Sequence, residues 1–197
     1  MGKFIIKNAT LIPMDGVQRE KPWLNGDLVI DGDTIAEIGT DLAAKYQGYE
    51  IIDGKDALVL PGFVNCHTHA AMTMLRGYAD DLNLQEWLET KIWPRETHLN
   101  EDDIYWGTML AALEMIKSGT TTFADMYFFM DQTARAVKES GIRACLSRGM
   151  VGLGDTAELA ITESEEFVKE WHGQADGRIT CMLAPHAPYT CPPDYIK

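Results

Sequence analysis

The pattern of apolar and polar positions divides the chain into two parts of different character. In residues 1–60, short apolar runs are separated by turn-forming pairs, most clearly by the Asp-Gly pair at 31–32, which lies between the runs 27–30 and 34–38. An Asp-Gly pair in this position is a strong β-hairpin signal. The stretch 53–56 (DGKD) separates two further apolar runs and predicts a second turn of the same kind. We therefore predict a small β-sheet unit over residues 1–60.

From residue 61 onward, strand-like runs alternate with amphipathic helical stretches. The strand-like runs are residues 63–67, 120–126, 142–151 and 179–185. One helix is predicted to begin at Asn100, a favourable N-cap residue followed by three acidic residues that suit the helix N-terminus. Its apolar positions Trp106, Met109, Leu110 and Leu113 recur at helical spacing and predict a stripe that faces the core.

Alternation of strands and helices is typical of parallel strands joined by helical crossovers. Four such units are half of an eightfold barrel. The predicted fold class is therefore α/β, and residues 61–197 are predicted to form the first half of a (β/α)8 TIM-type barrel. Because the chain ends where another helix begins, we expect it to be a piece of a longer protein.

Composition narrows the classes of partner. Of 197 residues, 46% are hydrophobic and 24% charged, which is typical of a globular protein, and the net charge is −13. Such a surface repels nucleic acids and anionic membranes, so we expect neither as a partner. The four cysteines are scattered without a Cys-x-x-Cys pair, which favours reduced thiols and a cytoplasmic location. Homo-oligomerisation is left open.

The clearest chemical signal is a pair of histidines, His67 and His69, at the end of the first barrel-type strand. Side chains two positions apart in a strand face the same side, so both imidazoles can reach one metal ion. Cys66 faces the other way and is not predicted to be a ligand. In such barrels, catalytic groups gather at the C-terminal ends of the strands.

Polar residues also follow the next three strands. They are Asp125, Arg148 and His186. Four strands that each carry a polar residue at the same end predict one shared pocket mouth. For Asp125, a hydrogen bond to a neighbouring loop is an alternative to a supporting role in this pocket.

Several segments resemble the amidohydrolase superfamily and, within it, the 5-methylthioadenosine/S-adenosylhomocysteine deaminases. The segments are 61–69 (PGFVNCHTH), 75–84 (LRGYADDLNL), 92–96 (IWPRE), 118–126 (SGTTTFADM) and 184–189 (APHAPY). The resemblance implies that His67 and His69 bind one divalent metal ion, with zinc favoured. It further implies that Glu96 binds ribose hydroxyls, that Arg148 lies near the 5′-substituent, and that His186 binds the purine.

The implied reaction is metal-dependent hydrolytic deamination of an adenine nucleoside, a small-molecule substrate. The family also uses a third histidine ligand, a glutamate proton shuttle and a metal-binding aspartate, all of which we expect beyond Lys197. No catalytic acid or base is therefore predicted within the chain, and residues 1–197 alone are expected to be inactive and prone to aggregation. In this family the unit at 1–60 is a β-sandwich portion whose partner strands are also expected beyond the chain end.

Three alternatives remain. The chain can belong to another deaminase or a chlorohydrolase of the superfamily, of the guanine, cytosine or triazine type, or it can be a non-catalytic metal-binding fragment. The stretch 152–157 (GLGDTA) fits a dinucleotide-binding G-x-G-x-x-A motif. That reading needs an acidic residue after the next strand, where Pro185 and His186 stand instead.

Overall fold

The computed structural model describes residues 2–16 and 20–197, and the chain separates into two units, Met1–Pro61 and Gly62–Lys197. The strands of the first unit are β1 (Lys3–Leu11), β2 (Leu24–Asp31), β3 (Thr34–Gly39), β4 (Glu50–Asp53) and β5 (Leu58–Val59). They form one mixed sheet in the order β3-β2-β1-β4, with β5 also paired to β1. A single 3₁₀ turn, Leu42–Ala44, lies between β3 and β4 in the described residues.

The two predicted hairpins have different outcomes. The hairpin across residues 31–32 is confirmed, because β2 and β3 pair antiparallel on either side of this turn. The hairpin across residues 53–56 is wrong, since β4 and β5 both run parallel to β1 and lie one after the other along the same edge. In its described residues this unit is one five-stranded sheet, so the structure does not confirm a β-sandwich.

The second unit is built on a parallel sheet. Its strands are β6 (Phe63–Thr68), β7 (Thr120–Tyr127), β8 (Arg143–Met150), β9 (Ile179–Cys181) and β10 (Ala184–Pro185). β7 lies between β6 and β8, and both β9 and β10 pair with β8. The run predicted as one strand over 179–185 is thus two short strands. Among the described residues the sheet is open and does not close into a barrel.

Helices connect these strands. In chain order they are α1 (Leu84–Trp87), α2 (Trp93–Glu96), α3 (Glu101–Lys117), α4 (Met130–Ser140), α5 (Ala157–Trp171), α6 (Gln174–Gly177) and α7 (Pro193–Ile196), with a 3₁₀ segment at Ala70–Leu75 and a π turn at Leu88–Ile92. The core is formed where α3, α4 and α5 pack on the sheet, around Ile104, Phe123 and Leu146. In the part of the chain that the structure describes, no helix has the length and apolar character needed to cross a bilayer.

The predicted core-facing stripe of α3 is wrong. Trp106 and Leu113 are 61% and 55% exposed, whereas Gly107 and Ala111 are buried. At Gly107 the 3₁₀ segment 70–75 packs very close to the helix: a Cβ atom there would lie 2.5 Å from the main-chain oxygen of Ala71. The close approach of these two backbones requires small residues at this part of the buried face, whereas Ile104 and Met115 fill the rest of it.

The predicted start of α3 is confirmed. The Asn100 side chain accepts hydrogen bonds from the amides of Asp102 and Asp103, and the Asp103 carboxylate accepts one from the amide of Asn100. We expect Asn100→Ala to lower the free energy of unfolding by about 1 kcal/mol, because amides at the helix N-terminus lose their acceptor. Urea denaturation measures this, with Asn100→Ser as the control that keeps a capping oxygen. Equal midpoints for the two variants would contradict the prediction.

Candidate active site

The histidine pair lies at the C-terminal end of β6. The rings of His67 and His69 have centroids 5.2 Å apart and planes at 81°. Nδ1 of His69 lies 2.7 Å from the main-chain oxygen of Met126 on β7. A carbonyl oxygen can only accept, so Nδ1 carries the proton and Nε2 keeps a free lone pair. This is the arrangement that fixes a metal-binding imidazole in one tautomer and orientation.

Asp125 holds the segment that follows the histidine pair. Its side chain is 1% exposed, and Oδ1 accepts hydrogen bonds from the Thr68 hydroxyl at 2.6 Å and the Ala70 amide at 2.8 Å. Burial raises the pKa of Asp125, although these two hydrogen bonds oppose the shift. In the described residues, Oδ2 is buried without a hydrogen-bond partner.

The position of Asp125 favours one of the two roles predicted for it. Asp125 shares the buried face of β7 with Phe123 and Tyr127, as the alternation of side chains along this strand requires. It contacts Thr68, the last residue of β6, and Ala70 in the segment after β6, which matches the alternative of a hydrogen bond to a neighbouring loop. Asp125 therefore holds the end of β6 and the residue that follows His69.

Glu96 is joined to the same strand end. It is the last residue of α2, and its Oε1 accepts a hydrogen bond of 2.7 Å from the Tyr127 hydroxyl. The Tyr127 ring lies 6.2 Å from the ring of His69 and stacks on Phe128 at 4.1 Å. Burial, and then the hydrogen bond to Glu96, raise the pKa of Tyr127, so the phenol stays protonated and donates at neutral pH.

Arg148 lies in a different environment. Its guanidinium forms an ion pair with Glu163 of α5, and Nη1 donates to the main-chain oxygen of Gly149 at 2.7 Å. Both side chains line a cavity of about 350 Å³. A neighbouring cavity of about 430 Å³ contains Glu96, and Phe128 and Phe129 line both. The cavity of Glu96 and the cavity of Arg148 thus share an aromatic pair.

His186 follows β10 directly. Its amide donates to the main-chain oxygen of Met150, which extends the parallel pairing with β8. The imidazole Nδ1 lies 3.0 Å from the Thr190 hydroxyl, and the ring packs edge-to-face on Tyr189. His186 is exposed. Side-chain contacts among the described residues connect His67, His69, Tyr127 and Glu96. Arg148 adjoins this group through the backbone, because it is the partner of Tyr127 in the pairing of β7 with β8.

The two imidazoles are the kind of ligand that a transition metal such as zinc prefers, but they are fewer than the four ligands of a tetrahedral site. Two imidazoles at alternate positions, one with its second nitrogen bonded to a carbonyl, are ordinary zinc ligands. Among the described residues, no group of three or more His, Cys, Asp or Glu side chains is placed to hold an ion. His67 and His69 would therefore provide two of the four ligands of a tetrahedral site.

Sequence reasoning missed Tyr127, Met126 and Glu163. The second strand was predicted to end at residue 126, one residue before Tyr127. A strand extended to residue 127 puts Tyr127 on the same face as Asp125 and at the same end of the sheet as the histidine pair. Met126 acts through its main-chain oxygen, which carries no sequence signal, and Glu163 is one of several acidic residues on α5.

The class of protein is established by comparison. Residues 58–197 match the model of the amidohydrolase family, and the chain belongs to this family. It is 56% identical, over its whole length, to the 5-methylthioadenosine/S-adenosylhomocysteine deaminase of Pelotomaculum thermopropionicum, and it covers 46% of that protein. It is 50% identical, again over its whole length, to the 5′-deoxyadenosine deaminase of Methanosarcina acetivorans, of which it covers 45%. The chain thus spans about half the length of the curated relatives it matches.

Solved structures of similar fold agree with this assignment. An adenosine deaminase from Xanthomonas campestris with bound zinc superposes with a TM-score of 0.86 at 29% identity, over 98% of this chain and 45% of the other. A zinc-complexed atrazine chlorohydrolase from Arthrobacter aurescens gives a TM-score of 0.79 at 24% identity, over 91% and 46% of the two chains. The second likeness concerns the fold alone. The predicted α/β class and the resemblance to this family are confirmed.

Proposed function

We propose that the whole protein is a metal-dependent aminohydrolase that deaminates adenine nucleosides, with 5-methylthioadenosine and S-adenosylhomocysteine as the first substrates to test. The observation that carries the proposal is the chain of contacts from His69 through Tyr127 to Glu96. A carboxylate suits a vicinal diol and a pair of imidazoles suits a metal ion, so these contacts support a nucleoside site next to a metal site. The names of the relatives at 50% identity or more support the same reaction.

The finer architecture is part of this proposal. We assign residues 1–60 to a β-sandwich portion and residues 61–197 to the first half of a (β/α)8 barrel. The open parallel sheet with helical crossovers supports the second assignment, since β6, β7 and β8 lie in sequence order as they do in such barrels. Free thiols at all four cysteines support a cytoplasmic location.

His67 and His69 would hold one divalent ion, with zinc favoured by the nitrogen ligands. When bound, such an ion supplies a water activated for hydrolysis near neutral pH. The chain's own contribution is orientation. The main-chain oxygen of Met126 fixes the His69 ring, and Asp125 anchors the backbone immediately after it through the Ala70 amide. Both contacts come from β7, so one strand positions the histidine pair.

In the proposed reaction, water adds to C6 of the adenine ring, the C6–N bond breaks, and ammonia leaves to give the inosyl product. Glu96 would accept hydrogen bonds from the ribose hydroxyls, and His186 would hydrogen-bond the purine. We place the residues that transfer the proton outside residues 1–197, in agreement with the expectation from the sequence.

Arg148 would lie near the 5′-substituent. Its ion pair with Glu163 already neutralises the guanidinium, so a carboxylate-bearing substituent would have to compete with Glu163. This observation favours 5-methylthioadenosine, which has an uncharged 5′-substituent, over S-adenosylhomocysteine.

Glu96→Gln tests the proposal. We expect this change to lower kcat/KM for an adenine ribonucleoside by a factor that corresponds to about 2 kcal/mol of lost transition-state stabilisation, because the charged acceptor for the ribose hydroxyls is lost. The 2′,3′-dideoxy analogue has no such hydroxyls and should be affected far less. Steady-state kinetics of the whole protein on both substrates measures the difference. Equal losses on the two substrates would remove Glu96 from the ribose site.

A further inference from the structure

We propose that Tyr127 is a positioning residue that holds the Glu96 carboxylate in register with the histidine pair and thereby sets the preference for an intact ribose. The inference rests on the proposed function and extends it to a residue outside the substrate-binding set. It starts from one hydrogen bond, 2.7 Å long, between the Tyr127 hydroxyl and Oε1 of Glu96.

The two ends of this hydrogen bond differ in how firmly they are held. Glu96 ends α2, a helix of one turn that follows the π turn Leu88–Ile92. Tyr127 ends β7, an eight-residue strand paired on both sides, and its side chain is 7% exposed within the main core. A short helix in an irregular connection has few backbone contacts to fix it. The hydrogen bond therefore holds the Glu96 carboxylate at a fixed position relative to the sheet.

β7 reaches the histidine pair through the adjacent residue. The main-chain oxygen of Met126 accepts from Nδ1 of His69 at 2.7 Å, and the Tyr127 ring lies 6.2 Å from the His69 ring. Two neighbouring residues of one strand thus fix an imidazole and a carboxylate that come from different elements. The distance between a metal ligand and the proposed ribose acceptor is set by a single rigid strand end, as a preorganised site requires.

The polarity of the hydrogen bond suits this role. A phenol is a neutral donor and occupies one lone pair on a carboxylate oxygen, which leaves the remaining lone pairs for two ribose hydroxyls. In the described chain, the ion pairs do not include Glu96. A lysine or arginine in place of Tyr127 would compete with the substrate for the carboxylate, whereas the phenol orients it.

Tyr127→Phe is the test, because it removes only the hydroxyl and keeps the ring that stacks on Phe128. In the whole protein we expect kcat/KM for an adenine ribonucleoside to fall about tenfold, mainly because KM rises. For the 2′,3′-dideoxy analogue, kcat/KM should stay the same. In a protein that already carries Glu96→Ala, adding Tyr127→Phe should not change the ratio of the kcat/KM values for the two substrates. Such non-additivity would not result from a general loss of stability.

The matched control is Tyr105→Phe. The Tyr105 hydroxyl donates to Glu139 at the same distance of 2.7 Å, but this pair lies on the exposed surface between α3 and α4. We expect this variant to leave both substrates unaffected. A structure of the Tyr127→Phe protein provides a readout independent of turnover, in which the Glu96 carboxylate should leave the position it occupies beside β7.

The outcomes separate the two proposals. If Glu96→Gln discriminates between the ribonucleoside and its dideoxy analogue and Tyr127→Phe does not, the positioning role is overturned and the proposed function stands. An unmoved Glu96 carboxylate in the Tyr127→Phe structure would overturn the positioning role as well. If the wild-type protein deaminates no adenine nucleoside, the proposed function fails, and with it the claim that Tyr127 sets ribose preference.

Discussion

Replacing either His67 or His69 by alanine is expected to abolish stoichiometric metal binding in the whole protein, for which we expect one divalent ion per subunit. The two rings are 5.2 Å apart at one strand end, and each would contribute one nitrogen to the same ion. A tetrahedral site that loses one protein ligand holds its ion far more weakly, and no group of three or more His, Cys, Asp or Glu side chains among the described residues offers a second site. The His69 change also removes the hydrogen bond to the Met126 oxygen.

Elemental analysis of the purified variants measures the bound metal. The matched control is His98→Ala, which deletes an exposed histidine in the connection between α2 and α3. This control should retain one ion per subunit. If either variant at position 67 or 69 kept a full equivalent of metal, the histidine pair would not be the metal site.

The second large effect concerns stability. We expect Asp125→Ala to lower the free energy of unfolding by about 3 kcal/mol, because the buried Ala70 amide loses its acceptor and the side chain leaves a void in the core. Thr68 keeps a second acceptor, the main-chain oxygen of Ala124 at 2.8 Å, so its hydroxyl contributes less to the loss. Chemical denaturation monitored by circular dichroism measures the change.

Two further variants make this prediction specific. Asp125→Asn keeps an oxygen in place for the Ala70 amide and should recover most of the lost stability. Asp155→Ala deletes an exposed carboxylate in the loop before α5 and should change the free energy of unfolding by less than about 0.5 kcal/mol. If the Asp125→Ala and Asp155→Ala variants unfolded at the same denaturant midpoint, Asp125 would not anchor the segment after the histidine pair.

Much of the fold and part of the site could be predicted because the signals are local. The hairpin at 31–32 and the N-cap at Asn100 each depend on residues within one turn. The alternation that brings the rings of His67 and His69 side by side is equally local, since it follows from the geometry of a single strand. Roles in binding metal and substrate go beyond this geometry, and the variants described above test them.

Local patterns along residues 61–197 were enough to predict β6, β7, β8, the start of α3, the histidine pair at a strand end, and the likeness to one family. The packing of distant segments determined that Gly107 lies on the buried face of α3, that β4 and β5 share one edge of β1, and that Asp125 bonds to Thr68 and Ala70. It also joined Tyr127 to Glu96, and Arg148 to Glu163. The physical reason is that these contacts depend on how closely two distant segments approach each other, which their packing sets and which no local pattern of side chains encodes.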